Sequence, residues 1–253
     1  MVEALESAEV RGYHLAGVKL PSADVCESLV RLLGSAFEKD SAFEKDSALE
    51  KDSSRNGAVL GGRREVQHAQ LPELGAVVVK QYTRGGWLRA LKTGRYARVL
   101  GCTRSEHEFR LLTQAQALGV RVPKPLLFAW KGSLVYRAWL VTQAVDRSET
   151  LAALAVRDEE RARKILPEVL CQVELLIGHG MLHADLHPGN VLIDAAGAVY
   201  LIDFDKARDF AGARNALRDR YLLRWRRAVL KHALPPFLVE TLALGLRRDF
   251  EHA

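Results

Sequence analysis

Two short apolar runs, Val191–Ile193 and Val199–Ile202, most restrict what this chain can fold into. They flank the turn signal Asp194-Ala-Ala-Gly197 and read as a pair of short strands. Asn190 stands directly before the first run. Asp203 ends the second, so a buried strand delivers its carboxylate to the tip. Asp185 lies five residues before Asn190, on a loop between an apolar helix and these strands. Phosphoryl transfer needs such a set: one carboxylate to accept the acceptor hydroxyl's proton, and an amide and a second carboxylate to hold magnesium on the ATP phosphates. Asn190 and Asp203 are hard oxygen donors suited to Mg²⁺, and Asp185 is the candidate base. Singly, such residues are ordinary turn formers. The joint pattern with its flanking strands points to function.

The 253 residues are 48% hydrophobic, ample for one domain or one domain with two lobes. Cys26, Cys102 and Cys171 form no CxxC pair, which favours a reducing compartment over a disulfide framework. The first residues carry acids and no apolar core, unlike a secretory signal. No apolar run approaches the roughly 20 residues that span a bilayer. The net charge of +6 favours anionic partners.

Along the chain, residues 1–34 suggest a short strand or helix pair. Residues 35–52 then repeat Ser-Ala-Phe-Glu-Lys-Asp three times, with Leu49 for Phe in the last copy. A period of six fits neither a heptad nor a 3.6-residue helix, so 35–53 reads as a charged insertion in an N-terminal region 1–56. From Asn56-Gly57 the pattern becomes β: an arm over Glu65–Ala69, a turn at Leu74-Gly75 and a β-branched strand over Ala76–Tyr82. Helices are predicted over 104–118 and 157–178, a strand over Trp139–Val145, and mostly helix over 211–250 broken at Pro235-Pro236. The expectation is a two-lobed α+β fold: a small β-rich N-lobe over 57–145 and a larger helical C-lobe over 146–253.

Lys80, late in its strand, is placed to reach nucleotide phosphates, held by a glutamate of the next helix. Glu108 is the first candidate and Glu106 the second. At 3.6 residues per turn the two differ by about 200°, so only one can face Lys80. Gly61-Gly62 can let backbone approach phosphate, although no GxGxxG is present. His179, His183, Asp185 and His187 offer a rival zinc cluster. That rival leaves Asn190 and Asp203 unexplained, and His183 reads instead as a loop-shaping residue. Two basic segments, 84–98 and 214–231, interleave arginines with Trp87 and Tyr96 and with Tyr221 and Trp225. Such segments suit a membrane interface or an anionic glycolipid, and also RNA.

Tyr82–Leu91, Gly94-Arg-Tyr96, Arg104–Leu112, Val122–Pro125, His183–His187 and Tyr200–Lys206 together resemble the 3-deoxy-D-manno-octulosonic acid (Kdo) kinases. These belong with the lipopolysaccharide core heptose kinases in a protein-kinase-like superfamily. The resemblance covers roughly residues 57–231 and implies ATP- and Mg²⁺-dependent phosphorylation of a Kdo hydroxyl, typically O-4, on Kdo–lipid A. It also implies peripheral attachment at the cytoplasmic face of the bacterial inner membrane, with no nucleic-acid partner. By position, Asp185 becomes the base, Asn190 and Asp203 the magnesium ligands, and Lys80 and Glu108 the nucleotide-binding pair. Asp205, where protein kinases carry Gly, fits small-molecule kinases. The alternatives are a heptose or other sugar kinase, and a non-catalytic pseudokinase scaffold.

Overall fold

A computed structural model describes residues 2–6, 11–15, 66–71, 74–82, 96–97, 103–132 and 135–248. The repeat insertion 35–53, Gly61-Gly62 and most of 84–98 lie outside the described residues. The described residues fall into two compact units. One gathers those up to Glu106 together with 125–144, and the other gathers 107–124 and 145–248.

The first unit is built on one antiparallel sheet. Its strands are β1 (Val2–Glu6), β2 (Arg11–Leu15), β3 (Val66–Leu71), β4 (Gly75–Tyr82), β5 (Tyr96–Ala97), β6 (Pro125–Gly132) and β7 (Val135–Gln143). They run in the order β1-β2-β6-β7-β4-β3, with β5 pairing β7. The β-branched run of β4 alternates as expected: Val77 and Val79 turn inward onto Leu71, Leu127, Ala129, Trp139 and Val141. Lys80 therefore takes the opposite face, level with Leu140 on β7 and Val66 on β3. β6 was not foreseen, because Val122-Pro-Lys-Pro125 reads as a break; the strand starts at the last proline of that break.

Helix α1 (Arg104–Ala117) begins at a capped end, where Thr103 Oγ1 accepts the Glu106 N–H at 3.2 Å. A Thr followed three residues later by Glu is a capping-box sequence. The helix stops at Gly119, whose φ of +82° is the left-handed turn that glycine adopts without strain.

The second unit is mainly helical. The helix expected over 157–178 is α3 (Glu159–Gly178), and a further helix, α2 (Leu151–Arg157), precedes it. Each has its own cap: Thr150 accepts from the Ala153 N–H at 3.1 Å and Asp158 from the Arg161 N–H at 3.0 Å. After α3 come β9 (Met181–His183), β10 (Val191–Ile193), β11 (Val199–Leu201) and β12 (Ala207–Asp209). β10 pairs with β11 and with the short β8 (Glu149–Thr150), while β9 pairs with β12. Helices α4 (Arg214–Lys231) and α5 (Phe237–Arg248) complete the unit, on either side of Pro235-Pro236. Leu217, Tyr221, Trp225, Ala228 and Val229 form the buried face of α4, and Trp225 Nε1 donates to the Leu238 carbonyl at 2.9 Å. A β-rich unit and a helical unit fit the expected α+β class.

Candidate functional site

The β10–β11 pair brings Asn190 and Asp203 to one end. Val191 stands opposite Leu201, and the Ile202 N–H donates to the Asn190 carbonyl at 3.0 Å. Asp203, one residue further, sits at φ 67°, ψ 63°. A non-glycine residue held there costs about 1–3 kcal/mol and survives only where the surroundings over-determine it. Asp185 joins the pair through the loop itself: Asn190 Nδ2 donates to the Asp185 carbonyl at 3.0 Å. That bond fixes the amide's orientation. Its nitrogen is spent on the loop, which leaves Oδ1 as the acceptor available to a cation. A carboxylate and an amide oxygen are the donor set Mg²⁺ takes when substrate phosphates complete its shell.

The histidines hold the loop. His183 is buried, and its Nε2–H donates to the Ile202 carbonyl at 2.9 Å. Its ring meets Phe204 edge-on at 4.5 Å. Burial lowers its pKa, although the carboxylates of Asp203 and Asp185 both pull the other way. The imidazole is therefore neutral and lies within the field of both acids. His187 Nδ1 accepts the Gly189 N–H at 3.0 Å, which puts the ring proton on Nε2. Burial and the Arg224 charge lower its pKa to about 4. Both rings are thus tied to backbone, and among the described residues no three His, Cys, Asp or Glu side chains gather to hold a metal.

Behind the loop stands Tyr221 of α4. Its hydroxyl accepts the His183 N–H at 2.8 Å and donates to the Met181 carbonyl at 2.7 Å. Tyr221 and Trp225 are 2% and 1% exposed. This corrects the interfacial reading of the two aromatics: they are core residues, spaced i, i+4 on the buried face of α4.

Asp185 has two cationic partners that the sequence did not reveal. Arg224 bonds its Oδ1, and Lys206 Nζ lies 3.4 Å from its Oδ2. Burial alone would raise this carboxyl. The Arg224 hydrogen bond and the charges of Lys206 and Arg224 outweigh it and hold the group below its ordinary value. Lys206 follows Asp203 closely enough to be noticed. Arg224 lies 39 residues from Asp185, and only the packing of α4 reveals it.

The remaining expected residues divide between the units. Lys80 belongs to the first, with its Nζ 5.2 Å from the centre of the Tyr82 ring. Glu108 belongs to the second and is 2% exposed, while Glu106 is only partly buried in the capped first turn of α1. A carboxylate as buried as Glu108 needs a hydrogen-bonding or cationic partner.

The family model described as "Lipopolysaccharide kinase (Kdo/WaaP) family" matches residues 50–237. A 3-deoxy-D-manno-octulosonic acid kinase of Vibrio vulnificus (strain YJ016) is 32% identical over 153 residues, 60% of this chain and 64% of that protein. The matched stretch thus spans less than two thirds of the Vibrio protein's length. A protein of the same name from Xylella fastidiosa (strain M12) is 33% identical over 174 residues, 68% of each chain. Among solved structures, the yeast RNA Pol II CTD kinase CTDK-1 complex aligns with 66% of this chain and 51% of its own, at 19% identity and a TM-score of 0.42. The family match takes in α1, the Asp185 loop and the β10–β11 pair with Asp203, and the chain belongs to the lipopolysaccharide kinase (Kdo/WaaP) family.

Proposed function

We propose that the protein is an ATP-dependent kinase that phosphorylates a Kdo hydroxyl, O-4, of Kdo–lipid A during assembly of the lipopolysaccharide inner core. The observation that carries this reading is the convergence of Asp185, Asn190 and Asp203, joined by the Asn190-to-Asp185 bond and the pairing of Asn190 with Ile202. In this reading Asp185 accepts the proton of the sugar hydroxyl. Asn190 Oδ1 and the Asp203 carboxylate hold magnesium. Lys80 binds the nucleotide phosphates, and Glu108 orients Lys80. Gly61 and Gly62, proposed to let backbone approach phosphate, lie outside the described residues. Neutralisation of the charge that develops on the transferring phosphoryl group is what magnesium supplies when bound. His183 and Tyr221 contribute by fixing the loop, so that Asp185 is aimed before substrate arrives.

The deciding experiment is transfer from radiolabelled ATP to Kdo–lipid A, heptosylated core and free sugars, with the product hydroxyl assigned by NMR. Label on Kdo–lipid A alone is the expected result. Label only on heptose makes the protein a heptose kinase, and no transfer together with no Mg-ATP binding makes it a pseudokinase.

A second reading concerns where the reaction takes place. We infer attachment to the anionic cytoplasmic face of the inner membrane through α4. Leu223 and Leu230 are 49% and 69% exposed and lie on one stripe of the helix with Arg220 and Arg227, at i, i+3, i+7, i+10. Arg226 and Lys231 flank the stripe, and Asp219 is the one acid among these exposed residues. Exposed leucines ringed by cations suit an interfacial helix on anionic lipid. No helix among the described residues is long and apolar enough to cross a membrane. Flotation with phosphatidylglycerol vesicles should be lost in Arg226→Glu/Arg227→Glu and weakened by salt; salt-insensitive binding counts against the reading.

A further inference from the structure

Helix α4 carries a basic residue that serves neither the exposed stripe nor the core. Arg224, one third exposed, reaches inward to Asp185 Oδ1. Lys206 Nζ covers Oδ2 at the longer distance of 3.4 Å and is itself 59% exposed. Both oxygens of the carboxylate are thus engaged by cations. Cations on both oxygens make Asp185 a weaker base while they stay, and the guanidinium leaves most readily when another anion takes its place.

Arginine is the side chain best shaped for such an exchange. Its planar fork binds any carboxylate in the same bidentate geometry, and its charge is never lost.

We propose that Arg224 is the acceptor-carboxylate receptor and sets specificity for an acidic sugar. On binding, its guanidinium passes from Asp185 to the sugar carboxylate, so Oδ1 is vacated as a hydroxyl of the same sugar ring arrives beside it. No covalent bond changes in this exchange. A neutral sugar brings no replacement anion, and Asp185 stays paired and is a weaker base. The inference rests on the reading of Asp185 as base and an acidic sugar as acceptor.

The test compares the full-length wild type, Arg224→Gln and Arg224→Lys on Kdo–lipid A and on the same lipid with the sugar carboxyl reduced to the alcohol. Thermal melts of all three establish that each is folded, and Arg224→Lys keeps a cation at the site. The wild type should prefer the acid in kcat/KM by about 10- to 100-fold, as expected for a hydrogen-bonded charge pair. Arg224→Gln should lose that preference through a raised acceptor KM, with KM for ATP unchanged and with faster turnover of the reduced acceptor than in the wild type. Arg224→Lys should recover part of the preference. Should Arg224→Gln lose kcat on both acceptors at unchanged acceptor KM, or keep the preference for the acid, Arg224 only positions Asp185 and the proposal fails. A wild type that phosphorylates neither lipid overturns the underlying reading, and this proposal with it.

Discussion

Replacing Tyr221 by Phe isolates the link between α4 and the catalytic loop. The substitution keeps the ring, which is almost fully buried, and removes one hydroxyl. That hydroxyl accepts the His183 N–H and donates to the Met181 carbonyl, bridging the two ends of β9. Each bond is short, and burial drives the phenol pKa upward, as expected where no water reaches the oxygen. A buried backbone group left without its partner costs about 1–3 kcal/mol, and two such groups put the loss at about 2–6 kcal/mol. For a chain of this size that lowers the midpoint of thermal unfolding by about 4–24 °C. Urea denaturation followed by tryptophan emission is a suitable assay, since Trp225 lies one turn along the same helix. Hydrogen exchange supplies the local readout: the His183 amide should lose protection while amides at the centre of α5 keep theirs relative to the global change. A loss below about 0.5 kcal/mol, within the range of ordinary surface substitutions, with His183 still protected, would show that water or a relaxed backbone replaces the hydroxyl. The bridge would then have no part in holding the loop.

Asp185→Asn should lower phosphate transfer by about 10²–10⁴-fold, the usual share of general base catalysis, while calorimetry finds ATP affinity intact; wild-type turnover in this variant would remove Asp185 from its role. Acid sensitivity should trace to His187. The unfolded chain protonates it near the ordinary value of 6.5 and the folded chain only near about 4, so the unfolded state binds more protons between these values and stability falls as pH drops through that window. His187→Asn, which can still accept from the Gly189 N–H, should flatten that dependence in pH-dependent urea melts. An unchanged slope would place the sensitivity elsewhere. Asp185, held below its ordinary value of 3.8, keeps its contribution down to that pH and loses it progressively below, so Arg224→Gln should cost less stability at pH 2 than at pH 7. Equal losses at both pH values would mean that Arg224 stabilises by packing alone.

How much of this was legible in the sequence depends on how far apart the interacting residues lie. Asn190 and Asp203 could be located because strand, turn and strand are local events, and the pairing of Val191 with Leu201 follows from them. The β4 alternation likewise announced which face Lys80 would take. The start of α3 was legible because Asp158 caps it, whereas the short α2 behind Thr150 has too few residues to show a helical period. The basic segment 214–231 shows the limit. Its composition spoke of a charged, aromatic-bearing surface, and composition cannot say which side of a helix meets the core. Periodicity could have placed Tyr221 and Trp225 together, yet only packing against β9 and α5 turned them inward and left Leu223 and Leu230 outside.

The sequence by itself determined the chemical inventory: a carboxylate, an amide and a second carboxylate at fixed offsets on a loop-and-strand frame, with the family match that follows from them. Tertiary structure decided the electrostatic state of that inventory. Arg224 pairs with Asp185 and Tyr221 pins the His183 backbone because α4 packs beside the loop, and Lys206 reaches Asp185 from the turn after Asp203. Local propensity acts over a few residues, whereas the charge and desolvation that set a carboxylate's state depend on distances through space, and those exist only once the chain has folded.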